Sequence, residues 1–351
     1  MTTIKVAWIP RFTSPYVAST RIRCINIMRG LTKRGLDAEL FSQQGFDSYS
    51  SLIFLKAYGR EHILLARKAK AARKRVIFDL CDNHFAKSNK PHAEAERVGY
   101  LNEMLNLSDH IVVSTDALRN VVVARHPAIA SRITVIGDAV EETLPPSHLS
   151  RRLVEWPALF FLQQFVSHQR KNGRTPLVWF GIHGGDNADY GMLEIYKAAS
   201  ELNDVAKTHG ISLTIISNNY SKYRSISRAF HFPAFYMPWG GSTFFAALAM
   251  HRIAVIPVTR NEFTECKSNN RVALAISRGL AVVTSAVIPA YEEFIPYIKQ
   301  NSISAGIAAY IGAPISADSD VATGKTYIAR NYSLEPIVSK WEMLLRGIST
   351  H

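Results

Sequence analysis

Lys267 and Arg271 stand four residues apart in the stretch ECKSNNRVALAISRGL, where polar residues give way to a short apolar run. Ser268 is a preferred N-cap residue and Gly279 a preferred stop, so a helix that begins after Ser268 and runs through Arg278 is expected. Four positions bring Arg271 round to nearly the same face as Lys267. The amino end of a helix already carries about half a positive charge, so each cation there costs about 0.3–1 kcal/mol. That same end offers unpaired N–H groups to an anion. Two cations beside such donors suit a pyrophosphate; the alternative is a Lys and an Arg tolerated at an exposed position by screening.

Other residues stand where strands run out. Gly184 and Gly185 lie in FGIHGG, whose glycines would let a ligand approach the backbone closely, and His183 between them could meet a phosphate. Asn218 and Trp239 end two further strands, where ordinary turn chemistry is the plainer reading. Asp82 and His84, in FDLCDNH, are placed to bind an acceptor or take its proton, with Asp79 nearby. Arg21 and Arg23 open the first helix and could touch an acidic group. No metal site is inferred from these residues.

These side chains need a scaffold. At 351 residues the chain is comfortable as two domains, and 47% apolar content argues for packed cores. Cys24, Cys81 and Cys266 are too scattered for a zinc site and suit a reducing, cytoplasmic setting. A strand begins almost at once in MTTIKVAWIP, so no signal peptide is expected, and no run approaches the length of a membrane span. The net charge of +13 favours anionic partners. REHILLARKAKAARKR, residues 60–75, could be a helix lying on anionic lipid at the inner face of the membrane, or a solvated helix whose apolar side faces its own sheet. Nucleic acid is disfavoured, because no basic stripe with interleaved aromatics accompanies the candidate residues.

Strand and helix signals alternate from residue 4 to 136 and again from 177 to 284, which predicts two doubly wound parallel sheets. The polar stretch EETLPPSHLS marks the linker. The expected domains are 1–145 and 146–333, with a last helix in 334–351. In such sheets ligands bind beyond the carboxyl ends of the strands, and two similar domains would face each other across a cleft. The dinucleotide fingerprint is missing after the first strand, and Ala322-Thr323-Gly324-Lys325-Thr326 lacks the upstream glycine of a Walker A loop.

From Pro238-Trp239 through Ile253–Pro257, Lys267, Asn270-Arg271, Arg278-Gly279-Leu280, Val282-Val283 and Pro289–Glu293, the sequence resembles the carboxyl-terminal domain of GT-B glycosyltransferases. It is nearest to glycosyltransferase family 4, also called group 1. The resemblance implies two Rossmann-like domains, with the last helix crossing back to the first. It also implies transfer of a sugar from a nucleotide-sugar donor to a hydroxyl acceptor, a glycan or a lipid-linked one, with retention of configuration, in surface polysaccharide or glycolipid synthesis. On that reading Gly184, Gly185, Lys267 and Arg271 border the donor phosphates, while Asn218 and Trp239 lie near base and ribose. No resident cofactor or metal is implied. The family's second acid is missing from the helix Arg271–Ile276; Glu262 and Glu265, just ahead of it, are the acids available for donor sugar and ribose, with Asn270 beside them. A nucleotide-sugar 2-epimerase on the same fold and a non-catalytic binder of anionic ligands are the rival readings.

Overall fold

The computed structural model describes residues 4–86, 91–184 and 190–349, without the side chains of 91–93 and 348–349. It divides into two units: Met1–Glu141 with Glu265–Ser268 and Arg330–His351, and Glu142–Thr264 with Asn269–Ala329.

The first unit is built on β1 (Lys5–Pro10), β2 (Asp37–Leu40), β3 (Ser51–Leu55), β4 (Arg75–Leu80), β5 (His110–Val113) and β6 (Ile133–Val135). They pair in parallel in the order β2-β1-β3-β4-β5-β6. Every residue of β3 is buried, as a strand covered on both faces requires. Leu52 and Phe54 enter one core with Phe78, Ile63 and Leu101. Ile53 and Leu55 enter the core on the other face with Trp8, Leu31 and Trp341. The last helix, Leu334–Ser349, completes that second core, with the Trp341 ring 5.8 Å from Trp8.

The second unit carries β7 (Thr175–Phe180), β8 (Ile211–Ser217), β9 (Ala234–Pro238), β10 (Ile253–Val255), β11 (Ala281–Val283) and β12 (Ile298–Lys299), again all parallel. Their order is β12-β11-β10-β7-β8-β9. One of its cores runs from Leu177 and Trp179 to Ile303, Ile307 and Tyr310.

Several expectations need correction. The first helix, which Arg21 and Arg23 were expected to open, includes a π-helical stretch, Arg21–Ile25, that carries both arginines inward. Neither arginine is left for an external ligand. Arg21 is 5% exposed and forks onto Glu141, and Arg23 is 2% exposed. The Arg23 guanidinium donates to Asp79 at 2.7 Å, to Asp138 at 2.8 Å and to the Ile136 carbonyl at 3.0 Å. Asp79 is wholly buried, so it cannot line an open site. In the stretch read as linker Glu141 is buried, and just before it the Val140 N–H donates to the Tyr332 carbonyl at 2.7 Å. The helix Arg60–Ala71 turns Ile63, Ala66 and Ala69 into the core, with Leu65 packed against it. Its basic side is engaged too, with Arg67 paired to Glu103 and Lys70 to Asp109. Of the two readings of 60–75, this burial matches the helix whose apolar side faces its own sheet.

Burial pushes the Asp79 carboxyl above its ordinary range, and Arg23 opposes that push. Arg23→Met leaves this buried carboxyl without its cation and should cost about 3–5 kcal/mol in urea denaturation. Arg67→Met, at an exposed pair, should cost under about 1 kcal/mol.

Candidate functional site

In a parallel doubly wound sheet the loops part at the point where the strand order reverses, and ligands settle there beyond the carboxyl ends. The first sheet reverses between β1 and β3, the second between β7 and β10. Candidate residues stand at both places.

Beyond β1 and β3, Arg11 N–H donates to the Leu55 carbonyl at 2.9 Å. Lys56 follows with a left-handed backbone, φ 53°, and its ammonium meets Asp82. The other oxygen of Asp82 accepts from Lys267 at 2.5 Å. Lys267 belongs to the four-residue segment that joins the first unit although its flanks belong to the second. That segment is held at three strand ends. Thr115 Oγ1 donates to the Cys266 carbonyl at 3.1 Å, Lys267 reaches Asp82, and Ser268 Oγ donates to Asp138 at 2.7 Å. Ser268 is therefore not the N-cap; Asn269 takes that position for the helix Asn270–Ser277, without a side-chain cap bond. Gly279 does end the helix, with φ at +86°.

Burial works against the charge on Asp82, but the Lys267 and Lys56 ammoniums hold its carboxyl well below the usual range. His84 is 9% exposed, with Nδ1 2.7 Å from the Tyr58 hydroxyl. Burial, reinforced by Lys56, pushes its pKa down to about 3. Near pH 7 both are weak proton acceptors, so neither fits the expected role of deprotonating an acceptor. What the arrangement does is fix two ammonium groups on one carboxylate.

Beyond β7, the His183 amide and its Nδ1–H donate to Asn218 Oδ1 at 3.1 and 2.8 Å, joining the ends of β7 and β8. Ser217 Oγ donates to the Gly181 carbonyl at 2.8 Å, and Gly184 takes φ 73°. Gly185 lies outside the described residues. Trp239 N–H donates to the Ser217 carbonyl at 2.8 Å, and its ring lies 6.2 Å from Phe244. Arg271, in the first turn of its helix, pairs with Glu194 at 3.3 Å and keeps 27% of its side chain exposed. A Cβ added at Gly181 would stand 3.7 Å from Arg271 Nη1, so the guanidinium lies against the β7 loop. Glu194 is buried and also accepts from the Gly191 amide at 3.3 Å. Asn270 is half-buried at the helix start, Glu262 is exposed in the turn beyond β10, and Glu265 is half-buried in the segment assigned to the first unit.

Among the expected residues, Asp82 and Lys267 meet in the first unit; Arg271, Gly184, His183 and Asn218 gather at the edge of the second sheet. Sequence reasoning missed Lys56, Tyr58 and Glu194. Lys56 had a signal, since it follows the end of an apolar strand; Glu194 had a weaker one, three residues after Gly191. Among the described residues no group of three or more His, Cys, Asp or Glu is arranged to hold a metal ion.

No protein-family model matches the sequence, and no curated protein matches it. Solved structures do. A glycosyltransferase from Rickettsia africae has a TM-score of 0.67 at 10% identity, covering 99% of both chains. A trehalose-6-phosphate protein from E. coli, bound with UDP-2-fluoro glucose, has a TM-score of 0.57 at 11% identity, covering 92% of this chain and 76% of its own. A putative UDP-N-acetylglucosamine 2-epimerase from Listeria monocytogenes has 0.57 at 11%, covering 99% of this chain and 98% of its own. At such identities the likeness establishes the fold: two Rossmann-like domains of the GT-B type.

A histidine kept neutral by burial contributes stability that is complete above its unfolded pKa of about 6.5 and declines as pH falls toward the folded value. With the folded value at about 3, that decline should run from about pH 6.5 downward. NMR of the His84 ring should show no titration between about pH 5 and 8; a midpoint near 6.5 would contradict this burial.

Proposed function

We propose that the protein is a glycosyltransferase that moves a sugar from a nucleotide-sugar donor to a hydroxyl acceptor on a glycan or lipid-linked molecule, with retention of configuration. The observation that carries this reading is Arg271, half-exposed against the Gly181 loop where the second sheet's order reverses. The fold shared with the R. africae glycosyltransferase supports it, and so does the UDP-2-fluoro glucose bound by the E. coli neighbour.

Breaking the bond between sugar and diphosphate leaves charge on the departing oxygens, and catalysis requires groups placed in advance to stabilise it. Arg271 supplies a fork of donors suited to phosphate oxygens. The Gly184 amide and the amino end of the Asn270–Ser277 helix add neutral donors. Lys267, held in place by Asp82, is the second proposed cation. Asn218 and Trp239 are assigned to base and ribose, and Glu262, Glu265 and Asn270 to donor sugar and ribose. Asp82 and His84 serve in positioning. No resident cofactor or metal enters this scheme, so EDTA should leave turnover unchanged.

A thermal-shift screen of UDP, GDP, dTDP and their sugars tests the proposal. A true donor at about 100 times its Kd should add about 2.7 kcal/mol of stability. Arg271→Ala and Lys267→Ala should each weaken its binding about tenfold or more, as loss of a charge-assisted contact does. Unchanged affinity in both variants would refute the assignment. The Listeria neighbour favours one alternative, a 2-epimerase. A 2-epimerised nucleotide sugar formed without acceptor would establish it.

A further inference from the structure

The helix Leu149–Lys171 buries one face and leaves another bare. Glu155, Leu159, Leu162, Val166 and Gln169 are buried, which fixes the helix to the second unit. On the opposite side Leu149, Leu153, Trp156 and Phe160 recur at helical spacing, with Val154 and Phe161 beside them; all six are between 54% and 73% exposed. Large apolar groups so contiguous are uncommon on a surface that meets only water. The patch is confined to the first turns, because Gln163, Gln164, Ser167 and His168 take over the exposed positions that follow. Its length along the axis is about 18 Å.

Charge narrows the choice of partner. The helix holds Arg151, Arg152, Arg170 and Lys171 against one acid, Glu155, and that acid is 1% exposed. The exposed surface of the first turns is thus apolar, bordered by Arg151 and Arg152, with no exposed carboxylate. Two copies stacked on this face would bring basic side chains together with no exposed acid on the helix to answer them, since Glu155 is buried beside Arg151 at 3.8 Å. A bilayer with anionic headgroups supplies an apolar layer and the matching charge together. Trp, Phe and Leu are the side chains that enter such an interface. Among the described residues no helix is long and apolar enough to cross a membrane, so the geometry here is that of a helix lying flat.

We propose that the amino-terminal half of the Leu149–Lys171 helix docks this protein on an anionic lipid surface, with Trp156 and Phe160 inserted among the acyl chains. This inference stands independently of the transferase reading, since Arg151, Arg152, Trp156 and Phe160 are not among the residues assigned to the donor.

Sedimentation with vesicles tests it, using phosphatidylcholine alone and phosphatidylcholine with about one-quarter phosphatidylglycerol. The full chain should sediment with the anionic vesicles and much less with the neutral ones. Trp156→Ser with Phe160→Ser, both at exposed positions, should keep the melting temperature and lose binding at least about tenfold. Arg151→Gln with Arg152→Gln should weaken binding and flatten its salt dependence. Three results would overturn the proposal: no binding of the unaltered chain to anionic vesicles, binding that survives the Trp156/Phe160 change, or a dimer in solution that this change converts to monomer. The last would assign the face to a second copy.

Discussion

Parallel strands impose one constraint on everything else here: all their carboxyl ends lie along one edge, and the loops must part where the order of winding reverses. The candidate side chains are delivered to that edge by the residues directly after each strand. In the first sheet these are Lys56 after β3 and Asp82 after β4. In the second they are Gly181 to Gly184 after β7 and Asn218 after β8. Arg271 comes from a helix start instead, and is aimed by Glu194.

Charge at these edges is managed in two ways. Where the side chains are sealed, every cation is paired: Arg23 with Asp79 and Asp138, and Arg21 with Glu141. Nearer the surface, the paired cations keep part of their side chains exposed. Lys56 and Lys267 share the single carboxylate of Asp82, and Lys267 keeps 36% exposure of its side chain. A buried ion pair yields little net stability, since desolvation offsets attraction. The sealed set therefore serves to fix the strand ends, and the half-exposed set is what remains to meet an anion. The Asp82 carboxyl is held low by Lys267 and Lys56 against its burial, whereas His84 is pushed down first by burial and then by Lys56.

The strands were legible in the sequence because a strand covered on both faces must be a continuous apolar run, as in Leu52 to Leu55 and Leu177 to Phe180. The helices Ile303–Gly312 and Pro314–Asn331 were not. The second carries few apolar residues, and its Ala322–Thr326 stretch was weighed as a phosphate loop. Gly324 is there for packing: a Cβ would fall 2.8 Å from Ile276 Cγ2. The cations Lys267 and Arg271 were legible as a pair because their position opposes the helix dipole. Their separate partners were not, because Asp82 and Glu194 are 185 and 77 residues away. Arg21 and Arg23 were misread for the same reason, as nothing local reveals that a helix surface is buried. The exposed face of Leu149–Lys171 was visible only as a short apolar run.

The most direct test of the central claim is a crystal structure with an intact nucleotide-sugar donor. The account predicts both phosphorus atoms beyond the ends of β7 and β10, with a phosphate oxygen within hydrogen-bonding reach of the Arg271 guanidinium. A diphosphate bound away from that guanidinium would contradict it.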